Sequence, residues 1–541
     1  MERQHGRSRA RAEPRVNRLE TPSLTVAALI VAAGFLGSRL LGLLRSVIIA
    51  EAFGTQAELD AYWVAFRLPD LVFQLLAGAT LASAFIPTFA GVRARDGEAA
   101  AWRLASNVLN IVLVATIIFA VVAFALAPRL VPLLAPGLGE GSGREQELQD
   151  LAVDLTRIML LSPVLFAISG MFMGILNARR HFLTPALAPM FYNLSIIVAA
   201  LVAQDVTTLA VGVVVGAALH LAVQLPDLRV AGMTYRLIAD WTDKAVREVG
   251  ALMAPRVLGL AATQINFYFI GIFFASMLAA GAISALTFAW LIVMTPLGII
   301  GMSISTAAFP TLAEQAAQQD DRLVETLRRT LRFILFLSLP AGLALALLAQ
   351  PLVAVLLQRG AFDVDSTRIT ADALLFYAPA LFAHSGIEML SRGFYALSDT
   401  KTPVMFAIGA MLINLVLAAA LVEPMEVSGL ALALSIATTL EFCGLFVVLM
   451  RRMPALQDES LRQALSKMAL AAAVMTTAIA ATRIALELYF ELDTENGWDA
   501  LLVLGAAVAT GGAAYLATAS ELGLYEPRMI LDRLTGMLRR A

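Results

Sequence analysis

The sequence predicts an all-α integral membrane protein of about fourteen transmembrane helices, arranged as two six-helix lobes with two further helices. Three observations lead there. Apolar runs long enough to cross a bilayer recur along the chain, basic residues crowd into alternate connections, and two halves of the sequence match in order.

Composition sets the class. Of 541 residues, 59% are hydrophobic and only 15% are charged, where a water-soluble domain carries roughly 25% charged residues. In hydrocarbon every backbone polar group must be paired within the chain, and a helix does this segment by segment. The alternating pattern of barrel strands is absent, which excludes a porin. A single cysteine, Cys443, excludes an internal disulfide and a cysteine-based metal site. The four histidines, His5, His181, His220 and His384, show no paired ligand spacing, and a net charge of −2 gives nucleic-acid binding no footing.

Reading apolar runs between polar breaks places spans at 24–50, 59–90, 104–134, 150–178, 184–203 and 206–228, then at 249–279, 281–312, 330–357, 369–397, 402–422 and 427–450, and finally at 464–490 and 498–520. With the N terminus placed inside, the inner connections hold 28 Lys and Arg, and the outer ones hold 4: Arg129, Arg144, Arg359 and Arg368. That bias predicts both termini on the cytosolic side of the membrane. The domains follow: a basic cytosolic tail over 1–23, an N-terminal lobe over 24–230 and a cytosolic amphipathic linker over 231–248. A C-terminal lobe spans 249–451, two extra helices occupy 464–520, and a cytosolic tail covers 521–541.

The halves resemble each other. Arg39-Leu40-Leu41-Gly42-Leu43 matches Arg256-Val257-Leu258-Gly259-Leu260, and Phe85-Ile86-Pro87-Thr88 matches Ala308-Phe309-Pro310-Thr311. Pro128, Thr184-Pro185 and Asn193-Leu194 find counterparts in Pro351, Thr402-Pro403 and Asn414-Leu415. Each lobe has an even number of helices, so the repeat is parallel, about an axis along the membrane normal. Two such lobes with a site between them are the frame of an alternating-access carrier.

Charges inside the spans are the candidate functional groups, because an ionised side chain at mid-bilayer costs several kcal/mol, on the order of 3 on insertion scales. Arg39 falls near the middle of the first span, with Arg45 six residues further along it. Asp60, Arg67 and Asp70 share one face of the second. Arginine forks suit phosphate oxygens, so this cluster reads as an anion site, with a structural Arg–Asp network as the alternative. His384, Glu388 and Arg392 follow at four-residue steps on the tenth span. They read as a proton relay or as a satisfied ion pair. Glu441, a lone acid on the twelfth, is a candidate for cation coupling. Prolines in Leu68-Pro69-Asp70 and Thr295-Pro296-Leu297-Gly298 mark expected kinks.

Several of these segments resemble a known family. Ser38-Arg39-Leu40-Leu41-Gly42-Leu43-Leu44-Arg45 and Phe53-Gly54 through Asp60-Ala61-Tyr62-Trp63-Val64-Ala65-Phe66-Arg67-Leu68-Pro69-Asp70 are similar to the first-helix and second-helix motifs of the MurJ/MviN lipid II flippases, within the MOP exporter superfamily. Ala84-Phe85-Ile86-Pro87 and Gly393-Phe394-Tyr395-Ala396-Leu397-Ser398-Asp399-Thr400-Lys401-Thr402-Pro403 resemble further motifs of that family. The likeness covers about residues 24–450. It implies the MOP fold, two lobes in a V around a cationic cavity, and transport without catalysis. The implied substrate is undecaprenyl-pyrophosphoryl disaccharide-pentapeptide, the lipid II used for peptidoglycan synthesis.

On this resemblance Ser38, Arg39, Arg45 and Asp60 match functional positions of the family motif; with the embedded charges Arg67, Asp70 and Arg256 they make up the candidate substrate-binding residues. His384, Glu388 and Glu441 are the candidates for ion coupling. No cofactor is implied beyond a coupling cation or the membrane potential. Membrane lipids are implied partners, and the cell-wall synthesis machinery is a further candidate. Where the family carries charge this chain has Ser46, Phe73, Gly78, Trp290, Leu291 and Met294. The competing readings are another MOP-type exporter, of a polysaccharide–lipid or of drugs, and a non-transporting envelope scaffold.

Overall fold

The computed structural model describes residues 24–77, 79–202, 205–253, 270–456, 459–490, 492 and 497–529, and all regular structure among them is helical. The first half runs through helices Leu24–Phe53, Ala57–Val72, Ala79–Asp96, Glu98–Leu134, Glu145–Met159, Leu161–Ala178, Leu183–Val202, Val206–Ala222 and Leu225–Val230. The second half holds Gly271–Ala275, Ala282–Pro296, Ser303–Ala317, Arg322–Leu347, Ala349–Leu357, Val364–Tyr377, Leu381–Ala396 and Lys401–Arg452. Glu459–Tyr489 and Gly497–Glu521 follow.

Among the described residues, eleven helical stretches are long and apolar enough to cross a membrane. One of them, Lys401–Arg452, has 52 residues and would reach about 78 Å if straight. It turns back at Glu426, where φ is 51° and ψ −129°, just after Pro424, so it supplies both spans expected at 402–422 and 427–450. The span expected at 59–90 passes through Gly78, and that at 249–279 through residues 254–269; these lie outside the described residues.

Both expected proline kinks take the form of π turns. Pro69 is followed by one at Phe73–Ala77 and Pro296 by one at Leu297–Met302. Proline lacks the N–H that would bond one turn back, and the ladder slips to the wider register just beyond it. Fifteen residues before each proline stands a glycine at positive φ, Gly54 at 57° and Gly281 at 94°. The same device therefore occurs at the same place in both halves.

Burial shows how the halves meet. One apolar core joins them. It contains Ile49, Leu59 and Leu209 from the first half and Ile283, Val353 and Leu430 from the second. Toward the other ends of the same helices the cores are separate. One, around Phe89, Trp102 and Ile175, belongs to the first half; another, around Leu327, Leu390 and Leu445, belongs to the second. The halves are fused at one face and splayed at the opposite one. Helices Glu459–Tyr489 and Gly497–Glu521 pack against each other and onto Phe336 and Leu348 of the second half.

The linker between the halves begins as an extended strap over 233–240. Three buried side chains on the helix Glu98–Leu134 bind its backbone. Asn107 donates to the Asp240 carbonyl and accepts from its N–H, Asn110 donates to the Arg236 and Ile238 carbonyls, and Ser106 accepts from the Arg236 N–H. The strap leaves Leu237 exposed, while the Tyr235 hydroxyl donates to Asn110 Oδ1 at 2.7 Å.

Candidate functional site: a cavity behind an inter-half seam

The fused face is closed by polar contacts between the halves. Asp60 is 3% exposed. Its Oδ2 accepts from the Gly281 N–H at 2.6 Å, and its Oδ1 accepts from the Ser284 N–H at 2.7 Å and the Ser284 hydroxyl at 2.6 Å. This carboxylate caps the helix Ala282–Pro296 from the other half of the molecule, where unpaired N–H groups and the helix dipole favour an anion. A Cβ at Gly281 would strike the Thr55 carbonyl, so this approach needs glycine. Around it, the Ala361 N–H donates to the Glu51 carbonyl at 2.8 Å, the Thr55 and Ser366 hydroxyls lie 2.9 Å apart, and the Gly137 N–H donates to Ser276 Oγ at 3.3 Å.

Between the halves lies a cavity of about 230 Å³. The first half contributes Arg45, Ser46, Trp63 and Arg67. The second contributes an apolar and aromatic wall that includes Phe288, Trp290, Leu291, Met294 and Tyr377. Arg45 forms no ion pair among the described residues, and its buried Nε has no hydrogen-bond partner there. The buried indole Nε1 of Trp63 is likewise unsatisfied. A buried N–H left without a partner is costly, and a bound anion or polar ligand relieves that cost.

Ser38, Arg39, Asp60 and Asp70 are not among the residues that line this cavity. Arg39 lies one turn and more before Arg45, with its guanidinium over the Phe35 ring at 5.2 Å and against Gly298 of the second π turn. Ser38 is half-buried and its carbonyl accepts from Asn193 Nδ2 at 3.4 Å. Asp70 accepts from Gln74 Nε2 at 2.7 Å and lies in the field of Arg67. Asp60 sits in the seam and spends its acceptors there, which separates it from the two cavity arginines. Arg256 lies outside the described residues.

On Leu381–Ala396, Glu388 pairs with Arg392 at 2.5 Å, and Arg392 also donates to Thr306 Oγ1 at 2.9 Å. His384 meets the edge or face of Trp290, with ring centroids 5.2 Å apart. Glu441 is half-buried without an ion pair or hydrogen bond among the described residues. No group of three or more His, Cys, Asp or Glu among the described residues is arranged to hold a metal. Sequence reasoning missed the ring-bearing wall, because an aromatic residue that lines a cavity and one that fills a core look alike in an apolar span.

The family model described as Lipid II flippase MurJ matches residues 49–493. The chain belongs to this family. Among the curated MurJ proteins, the probable lipid II flippase of Vibrio cholerae is 31% identical over 515 residues, covering 92% of this chain and 95% of that protein. The lipid II flippase of Burkholderia cenocepacia is 32% identical over 438 residues, covering 79% and 84%. A solved MurJ structure, described as the inward closed conformation, superposes with a TM-score of 0.75 at 22% identity, covering 93% of this chain and all of that one. An inward-facing MATE-family multidrug transporter of the MOP superfamily superposes with a TM-score of 0.63 at 17% identity, covering 78% and 96%. The fold is therefore the MOP fold, as the sequence predicted, and the chain is a multi-pass membrane protein of a transporter family.

Proposed function

We propose that this chain flips lipid II, the undecaprenyl-pyrophosphoryl disaccharide-pentapeptide, across the bacterial inner membrane by alternating access. The observation that carries the proposal is the cavity between the halves, lined by Arg45, which forms no ion pair among the described residues, in a chain of this family. An anion leaving water must exchange its hydration for fixed donors, and a guanidinium offers five. In this reading Arg39, Arg45 and Arg256 hold the pyrophosphate, and Arg67, Asp70 and Ser38 support them. The polyprenyl tail stays in lipid.

The basic bias of the connections supports cytosolic termini. With that orientation the seam at Asp60 closes the outer face, and the splayed cores open inward to admit substrate from the inner leaflet. The two six-helix lobes, 24–230 and 249–451, then rock about the fused face. Coupling is assigned to a cation or the membrane potential, with Glu441 the foremost candidate and the pair Glu388–Arg392 beside His384 the next. The test is depletion of the protein in its host. Lipid II is expected to accumulate in the inner leaflet, and re-expression is expected to clear it. Unchanged lipid II distribution on depletion refutes the proposal.

A further inference from the structure

The wall of the cavity is divided by chemistry. Among the described lining residues the charged ones, Arg45 and Arg67, come from the first half. The facing wall from the second half carries rings and aliphatic side chains and, among the described residues, no charge. The rings are held at fixed angles. Trp290 packs against Tyr377 with centroids 5.6 Å apart at 69°, and against His384 at 5.2 Å and 69°. Trp63, from the first half, meets Phe288 at 6.2 Å and 90°. Trp290 is half-buried, so its rings are clamped on the protein side while it still lines the cavity. On the first-half side, the buried Trp63 Nε1 is a donor without a partner among the described residues.

A ligand matched to this cavity carries negative charge at one end and an uncharged, ring-shaped part with both C–H faces and hydroxyl acceptors at the other. We infer that Trp290 and Tyr377 form a saccharide subsite, with Trp63 donating to a sugar oxygen while the arginines hold the adjoining phosphates. This rests on the flippase reading and adds to it the group that selects the sugar-bearing lipid. Pyranose C–H bonds carry partial positive charge and lie well against the negative face of an indole. Cationic ligands are disfavoured by the two arginines, and no carboxylate is among the described lining residues. At about 230 Å³ the cavity holds part of a ligand rather than the whole lipid-linked glycopeptide.

The experiment compares two probes on the purified full chain in nanodiscs: lipid II, and undecaprenyl pyrophosphate, which has the same tail and phosphates but no sugar. Wild type is expected to bind lipid II more tightly. Trp290→Leu is expected to lose roughly tenfold in lipid II affinity, with undecaprenyl pyrophosphate binding changed less than about twofold. Trp290→Phe keeps a ring and is expected to retain most of the lipid II affinity. Trp63→Phe keeps the ring but not the donor and is expected to lose about fivefold for lipid II alone. Equal loss for both probes means that the wall holds the tail or that the cavity has collapsed, and overturns the inference. Equal binding of both probes by wild type also overturns it, yet leaves the flippase proposal standing. Failure of wild type to bind either probe brings down the flippase proposal itself.

Discussion

The Asp60 carboxylate caps the helix that begins beside Ser284, 224 residues further along the chain and in the other half of the molecule. Two of its three bonds are to backbone N–H groups that have no partner within their own helix. The bond therefore exists only while the seam is closed, and opening this face leaves a buried carboxylate and a bare helix end to find water. Asp60 thus ties the conformational state of the carrier to one side chain.

Asp60→Asn keeps the shape and one acceptor but removes the charge. It is expected to weaken the closed seam by about 1–2 kcal/mol, a shift of roughly five- to thirtyfold in the closed-to-open ratio. The measurement is maleimide labelling of a cysteine placed at Ser366, whose hydroxyl lies 2.9 Å from Thr55 across the seam. Labelling is expected to rise several-fold in the Asp60→Asn background. An unchanged rate means the cap does not hold the seam.

Gly54 offers a second approach to the same seam. Its φ is 57°, and a Cβ there would strike the Ala361 carbonyl, whose N–H is bonded to Glu51. Gly54→Ala combines a left-handed backbone position with a steric clash. The expected cost is about 1–3 kcal/mol. It should appear as a lower unfolding midpoint in detergent and as raised labelling at Ser366→Cys. A midpoint equal to that of wild type contradicts the close approach.

The turn at Asp399, outside the spans, gives a pH dependence of known sign. Thr402, through its hydroxyl and its N–H, and Arg452 hold the Asp399 carboxyl well below the usual carboxylate range. A carboxylate depressed in the folded state stabilises above its unfolded pKa of about 3.9, and that contribution fades as pH falls toward the folded value. The unfolding midpoints of wild type and Asp399→Asn should differ by a constant amount from pH 7 down to about 5 and converge in stronger acid. A gap that widens with acid reverses the assigned sign.

Much of this architecture was legible in the sequence, because membrane spans are written in local patterns. Run length located the helices, and Pro69 and Pro296 marked both π turns. Arg45 stood out because a cation in an apolar span needs a reason to be there. What could not be read depends on distant pairing. Asp60 was visible as an embedded acid, but nothing near it in sequence indicates that Gly281 and Ser284 take its bonds. Trp290 and Tyr377 sit in ordinary apolar runs, and only the meeting of the halves makes them a wall facing Arg45. The linker's amphipathic pattern did not reveal a strap, because its hydrogen bonds come from Ser106, Asn107 and Asn110 on another element.

The geometry of Arg45 separates charge from shape. Its Nε is buried and unsatisfied, and it lines the cavity without an ion pair among the described residues. Arg45→Ala removes the cation, and Arg45→Lys restores it as a point charge without the planar fork. If a diphosphate is gripped by paired N–H donors, lysine cannot replace both bonds, and each charged hydrogen bond is worth about 1.5–3 kcal/mol. Flipping of lipid II in proteoliposomes is therefore expected to fall at least about tenfold in Arg45→Lys and further in Arg45→Ala. The rate should be compared at matched protein per vesicle, with unfolding midpoints measured in parallel. Because Arg45 forms no ion pair among the described residues, neither substitution breaks one there, and both variants should unfold close to wild type. Wild-type flipping by Arg45→Lys shows that charge alone suffices, and wild-type flipping by Arg45→Ala removes Arg45 from the substrate site.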